Sequence, residues 1–135
     1  MKTIGIEISN KKVIFVVLQK LNGSTENITG KQKSMELKDD RDSKELTLFI
    51  NELHSYFDSI NPDKIGIVTR MMKGKFSASP ISFKIEGLIQ LYSKIDIEFV
   101  TPQALTAYFK KNELSVQPDH KYQEKAIKIA AYMCK

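Results

Sequence analysis

The stretch TIGIEISNKKVIFVVL, Thr3 to Leu18, decides how the rest of this chain is read. Ile4, Ile6 and Ile8 alternate with Thr3, Gly5 and Glu7. Apolar residues at period two mark a strand with one covered face. Ser9-Asn10-Lys11 is short and polar, as a hairpin turn requires. The second strand, Lys12 to Gln19, contains Val-Ile-Phe-Val-Val-Leu, which is apolar at every position. Such a strand needs cover on both faces, which points to the middle of an α/β sheet. Glu7 is the anomaly. It places a carboxylate in this apolar stretch, on the face it shares with Thr3 and Gly5.

Leu21 to Thr29, rich in Asn, Gly, Ser and Thr, reads as a loop. Lys31 to Leu37 predicts a third strand at an edge, where lysine discourages further pairing. Asp42 precedes Glu45 by three in the manner of a capping box. Leu46, Phe49, Ile50, Leu53, Phe57 and Ile60 then recur at helical spacing until Asn61-Pro62. Lys64 to Thr69 holds the buried-strand signal IGIV, and Ile95 to Val100 is another strand. Ser79-Pro80 and Thr101-Pro102 each read as a cap followed by the first helical residue. The first of these helices has Ile81, Ile85, Leu88, Ile89 and Tyr92 as its inner stripe, and the second ends near Lys111. A last helix is predicted from Asp119 onward, with Tyr122, Ala126, Ile129, Ala130 and Met133 in one stripe. The resulting class is α/β: a mixed five-stranded sheet in the order βββαβαβα, with a small extra helix and the helices packed on the sheet.

A length of 135 residues predicts a single domain spanning 1–135. A hydrophobic share of 41% and a charged share of 27% suit a globular protein. The net charge of +5 permits an anionic partner without demanding one. Cys134 is the one cysteine, so no internal disulfide forms and a reducing compartment fits. No apolar run reaches the roughly 18 residues of a membrane span, and no signal-peptide pattern opens the chain, so a cytoplasmic location is expected. There is no Walker loop, GxGxxG, CxxC or nucleophile elbow, which disfavours nucleotide-driven motors, Rossmann dehydrogenases and zinc ribbons.

IGIEISNKKVIFVVL resembles the first hairpin of RuvC-type Holliday-junction resolvases and related transposases. NPDKIGIV, Asn61 to Val68, resembles the lead into their fourth strand, and MMKGKFSASPISFKIEGLIQL resembles their basic loop and following helix. The order of elements resembles the ribonuclease H-like fold throughout. The Lys-Gly-Lys-Phe loop is also similar to that of a small bacterial family catalogued as a domain of unknown function. The resemblance implies that Glu7 stands where relatives carry a metal-binding aspartate. It implies an acid at the end of the fourth strand, where this chain has Val68 or Thr69, and paired acids on the last helix, where it offers Asp119, His120, Gln123 and Glu124. Magnesium or manganese held by Glu7 and Asp119, with Thr69 and Gln123 as water-mediated support, is what remains of that set.

Each candidate has a plainer reading. Glu7 is a metal ligand, or a carboxylate that is solvated or paired with a lysine. Asp119 is a ligand, or an acid favouring a helix N-terminus. His120 and Glu124, four apart, form an ordinary surface pair. His54 reads as surface, Met71 and Met72 as packing, and Cys134 as part of a fraying end. Arg70, Lys73, Lys75 and Lys84 have no acid between them and flank a helix opening at Ser79. With Gly74 and Phe76 they suit a phosphate backbone, or form a solvated loop. Two functions follow. One is nucleic-acid binding through residues 70–84, with metal-dependent phosphodiester cleavage if the acids meet. The other is an inactive module of the same fold that binds a protein partner or a second copy. Two-domain ATPases of the sugar-kinase and chaperone type are disfavoured by length and by the lack of glycine-rich phosphate loops.

Overall fold

The computed structural model describes residues 1–69 and 79–135. Strands β1 (Lys2–Ser9) and β2 (Lys12–Leu21) form the opening hairpin, with Ser9 opposite Lys12. Asn10, in the two-residue turn, takes a left-handed φ of 55°, a conformation asparagine tolerates well. β5 (Lys64–Val68) lies parallel to β1, and β6 (Ile97–Val100) lies parallel to β5.

The outer edge differs from expectation. Residues read as loop contain β3 (Ser24–Asn27), which pairs with the end of β2, while β4 (Ser34–Glu36) pairs with its beginning. The sheet therefore has five strand positions, ordered β3-β2-β1-β5-β6, and β4 shares the outermost position with β3. The signal for β3 was the Asn22-Gly23 dipeptide, both of whose residues have positive φ (53° and 78°), as a tight hairpin turn needs. No apolar alternation betrays β3 because Ser-Thr-Glu-Asn lies on a largely wet edge.

Among the described residues four α-helices complete the order: α1 (Ser43–Ile60), α2 (Pro80–Gln90), α3 (Pro102–Lys111) and α4 (Glu124–Met133). The caps of α1, α2 and α3 follow the sequence signals, while α4 has no side-chain cap. Asp42 Oδ1 accepts from Lys44 N at 3.0 Å, Ser79 Oγ from Ser82 N at 3.3 Å and Thr101 Oγ1 from Ala104 N at 3.1 Å. α1 ends at Asn61, in the left-handed region, with its N–H on the Phe57 carbonyl. α4 starts later than Asp119, because a 3₁₀ turn over Lys121–Gln123 precedes it.

β2 is buried from Val13 to Leu18, so the demand for two-sided cover is met. Ile4, Ile6, Ile8, Phe15, Ile65 and Ile67 pack against Phe49, Leu53 and Phe57 of α1 and Ile85 and Ile89 of α2. His54 belongs to this layer rather than to open surface. Its Nε2 lies 3.2 Å from the Leu88 carbonyl, and its ring packs edge-on to Tyr92. The opposite face is covered by α4 through Ala126, Ile127 and Ala130 against Ile14, Val16 and Leu18. There Gly5 is essential. A β-carbon on it would lie 2.0 Å from the Ala126 carbonyl oxygen and 2.5 Å from the Ala130 nitrogen. Cys134 also belongs to this face. It is buried, and its Sγ sits 3.2 Å from Thr3 Oγ1, which also donates to the Ala130 carbonyl at 2.9 Å.

Candidate functional site

β1, β5 and β6 are parallel, so their C-terminal ends form one rim. Ile6 is level with Ile67, and Val68 with Val100. Glu7 therefore stands at the rim beside the end of β5, on the face covered by α4. Because α4 lies directly on Gly5, its first turn continues over Glu7. Lys125 Nζ reaches Glu7 Oε2 at 3.8 Å, with the carboxylate side chain 20% exposed and the lysine 72% exposed. A pair at that distance, with its lysine in solvent, adds little stability. It does put a cation beside the carboxylate. Thr69 continues the rim, its N–H donating to the Val100 carbonyl at 2.7 Å, and Thr101 caps α3 from the neighbouring strand end.

The other candidates go to other partners. Asp119 lies ahead of α4 and pairs with Lys33 at 3.2 Å. Lys33 adjoins Ser34, which is opposite Ile14, which is opposite Glu7. Asp119 is thus tied to a residue two strand spacings from Glu7, or about 10 Å. Gln123 is fully buried and uses both ends of its amide: Nε2 donates to the Phe15 carbonyl at 2.9 Å, and Oε1 accepts from His120 N at 3.0 Å. It fastens the chain to β2. His120 and Glu124 do not pair with each other. His120 stacks on Tyr122, and Glu124 meets Lys128 at 3.8 Å.

Lys84 turns to the loop before α1, donating to the Asp40 carbonyl at 2.8 Å and its carboxylate at 3.1 Å. That hydrogen bond holds the half-exposed Asp40 carboxyl below its usual range. Ser79 is engaged as the α2 cap. Arg70, Lys73 and Lys75, together with Met71, Met72 and Phe76, lie outside the described residues.

A two-metal hydrolytic centre needs several oxygen ligands converging within a few ångströms. Among the described residues no three His, Cys, Asp or Glu side chains gather to hold an ion. Residues 70–78 read Arg-Met-Met-Lys-Gly-Lys-Phe-Ser-Ala and add none of these types. The donor set does not fit such a centre.

Sequence reasoning overlooked Lys125 and misplaced Tyr122. The helical stripe put Tyr122 inside, whereas it is 49% exposed. The 3₁₀ turn, at three residues per turn rather than 3.6, shifts the phase of everything before Glu124. A glutamine followed by Glu-Lys-Ala at the helix start was the one available hint.

The profile of the family described as "Protein of unknown function (DUF3010)" matches residues 1–133. The chain belongs to this family. Two solved structures bear on the DUF3010 fold. The Thermus thermophilus RuvC structure is 12% identical and superposes with a TM-score of 0.70, over 99% of this chain and 97% of that one. T. thermophilus RuvC in complex with Holliday junction substrate is 11% identical, with a TM-score of 0.69 over 96% and 90%. At such identities the likeness establishes the fold, which is ribonuclease H-like with the RuvC layout. No curated protein matches this chain. Among the described residues no helix is long and apolar enough to cross a membrane.

Proposed function

We propose that this chain binds nucleic acid at the C-terminal rim of its parallel strands and does not hydrolyse it with a metal pair of its own. The observation that carries the reading is the pairing at the rim: Glu7, at the first-strand acid position, faces the ammonium of Lys125. A lysine there takes up the charge of the carboxylate, whereas converging acids at the strand ends would draw divalent ions. The fold supports the binding half, since a protein of the same layout is described in complex with a Holliday junction. The net charge of +5 supports it too. So does the sequence between Thr69 at the rim and the Ser79 cap, which contributes Arg70, Lys73 and Lys75 and no acid.

The chemistry of such a site is retention without cleavage. Lysine and arginine hold backbone phosphates by charge, and sequence plays no part in that term. The test is fluorescence anisotropy with labelled four-way junction, duplex and single-stranded DNA, repeated across a salt series. Binding is expected to weaken linearly on a log–log plot, with a slope that counts the phosphates contacted. Incubation with magnesium or manganese is expected to leave the DNA intact. Salt-insensitive or absent binding overturns the first half of the proposal. Cleavage abolished by Glu7→Gln overturns the second.

A further inference from the structure

We propose that the His120–Tyr122 ring pair, with the lysines around it, is a stacking platform for the bases of a single-stranded nucleic acid. This rests on the nucleic-acid reading above and adds a second contact to it. The two rings lie nearly parallel, at 10° with centroids 5.2 Å apart. Tyr122 is half exposed, and His120 is exposed as well. They line an open groove of about 610 Å³ with Lys31, Gln32, Lys33 and Ser34. That size suits a nucleotide-sized ligand.

Charge and position agree with that ligand. Lys31 and Lys33 line the groove, and Lys121 lies between the two rings in sequence. Lys33 is held by the Gly30 carbonyl at 2.6 Å and by Asp119 at 3.2 Å, so the acid at this site is already matched. Neither Lys31 nor Lys121 makes an ion pair among the described residues. The register Glu7–Ile14–Ser34 places the groove at the same end of the sheet as the rim, at the outer edge. A strand leaving the rim on that side would meet the rings next.

The platform is also held in place. Buried Gln123 ties His120 N through its Oε1 and β2 through its Nε2, while its own N–H returns to the His120 carbonyl at 3.0 Å. The rings therefore stand on a segment bolted to the central sheet. A flat aromatic face beside free cations is what sequence-tolerant single-strand binding uses: stacking for the base and charge for the phosphate.

The test compares a short oligothymidylate with an abasic oligomer of equal length and charge. The chain has no tryptophan, so Tyr122→Trp supplies a single reporter. The wild type is expected to prefer the oligothymidylate at least about five-fold. Tyr122→Ala should bring that ratio to about one, and Tyr122→Phe should keep it. The tryptophan of Tyr122→Trp should be quenched by the base-bearing oligomer and not by the abasic one. Equal affinity of the wild type for both oligomers, with junction or duplex still bound, overturns the platform and leaves the rim reading standing. No binding of any nucleic acid at low salt removes both. Thymidine monophosphate competing as well as the oligomer would make the ligand a free nucleotide and also overturn the proposal.

Discussion

The two faces of β1 are built in opposite ways. Ile4, Ile6 and Ile8 point into a layer of large side chains, where Phe57 meets Phe15 and Tyr92 edge to face at 6.4 and 5.1 Å. Thr3 and Gly5 meet a helix whose backbone comes down onto the strand, fastened by the hydroxyl of Thr3 and the amide of Gln123. The first face is held by volume. The second is held by closeness and a few polar bonds, and it is the one that carries Glu7. A site beside such a face inherits its tolerance: a side-chain core repacks, whereas a backbone contact has nothing to move.

Substitutions can break or sharpen this contrast. The largest loss is expected for Phe57→Ala, about 3–5 kcal/mol in urea unfolding, because it empties the centre of the bulky layer without touching the rim. Gly5→Ala should follow at about 3 kcal/mol, since its methyl meets main chain and α4 must shift. If Gly5→Ala melts like the wild type, the account of the second face is wrong. Gln123→Ala should cost about 1–3 kcal/mol by stranding the Phe15 carbonyl, and NMR should show residues 119–123 loosened. Gly66→Ala should cost less, about 1 kcal/mol, because the atoms it meets at 3.0–3.1 Å are side-chain atoms of Met133, which can adjust, and of the stiffer Ile129, and no main chain. The gap between the two glycine variants measures how much the main-chain contact matters.

The gentlest test is alkaline. Burial pushes the Tyr56 hydroxyl up to about 12, and burial plus the hydrogen bond to Asp58 does the same for Tyr92. Both folded values lie above the unfolded value of about 10. Their contribution is therefore complete below pH 10 and declines as the pH rises from 10 toward 12. Thermal melts across that range should drop less for Tyr56→Phe, whose ring lies in the bulky layer and whose ionisation is removed.

The bulky face was legible because apolar periodicity records it directly: the α1 and α2 stripes and the alternating isoleucines reappear as its contents. The second face was only half legible. Glu7 and Gly5 stood out, and the stripe of Ala126, Ile129, Ala130 and Met133 is buried as read, but nothing local showed that Cys134 is covered as well or that α4 is the element lying on Gly5. Asp119 was aimed at the sheet on the assumption of a continuous helix, and the 3₁₀ turn removed that assumption. The acids' partners, Lys125 and Lys33, come from distant segments, a kind of information local spacing does not hold.

The thiol tucked under Thr3 has one more use. Cys134 is the single cysteine, and it becomes reachable when the end of α4 lifts away from β1. Its rate of alkylation under native conditions is thus a clock for how often the covering helix detaches, read from one atom with no label introduced.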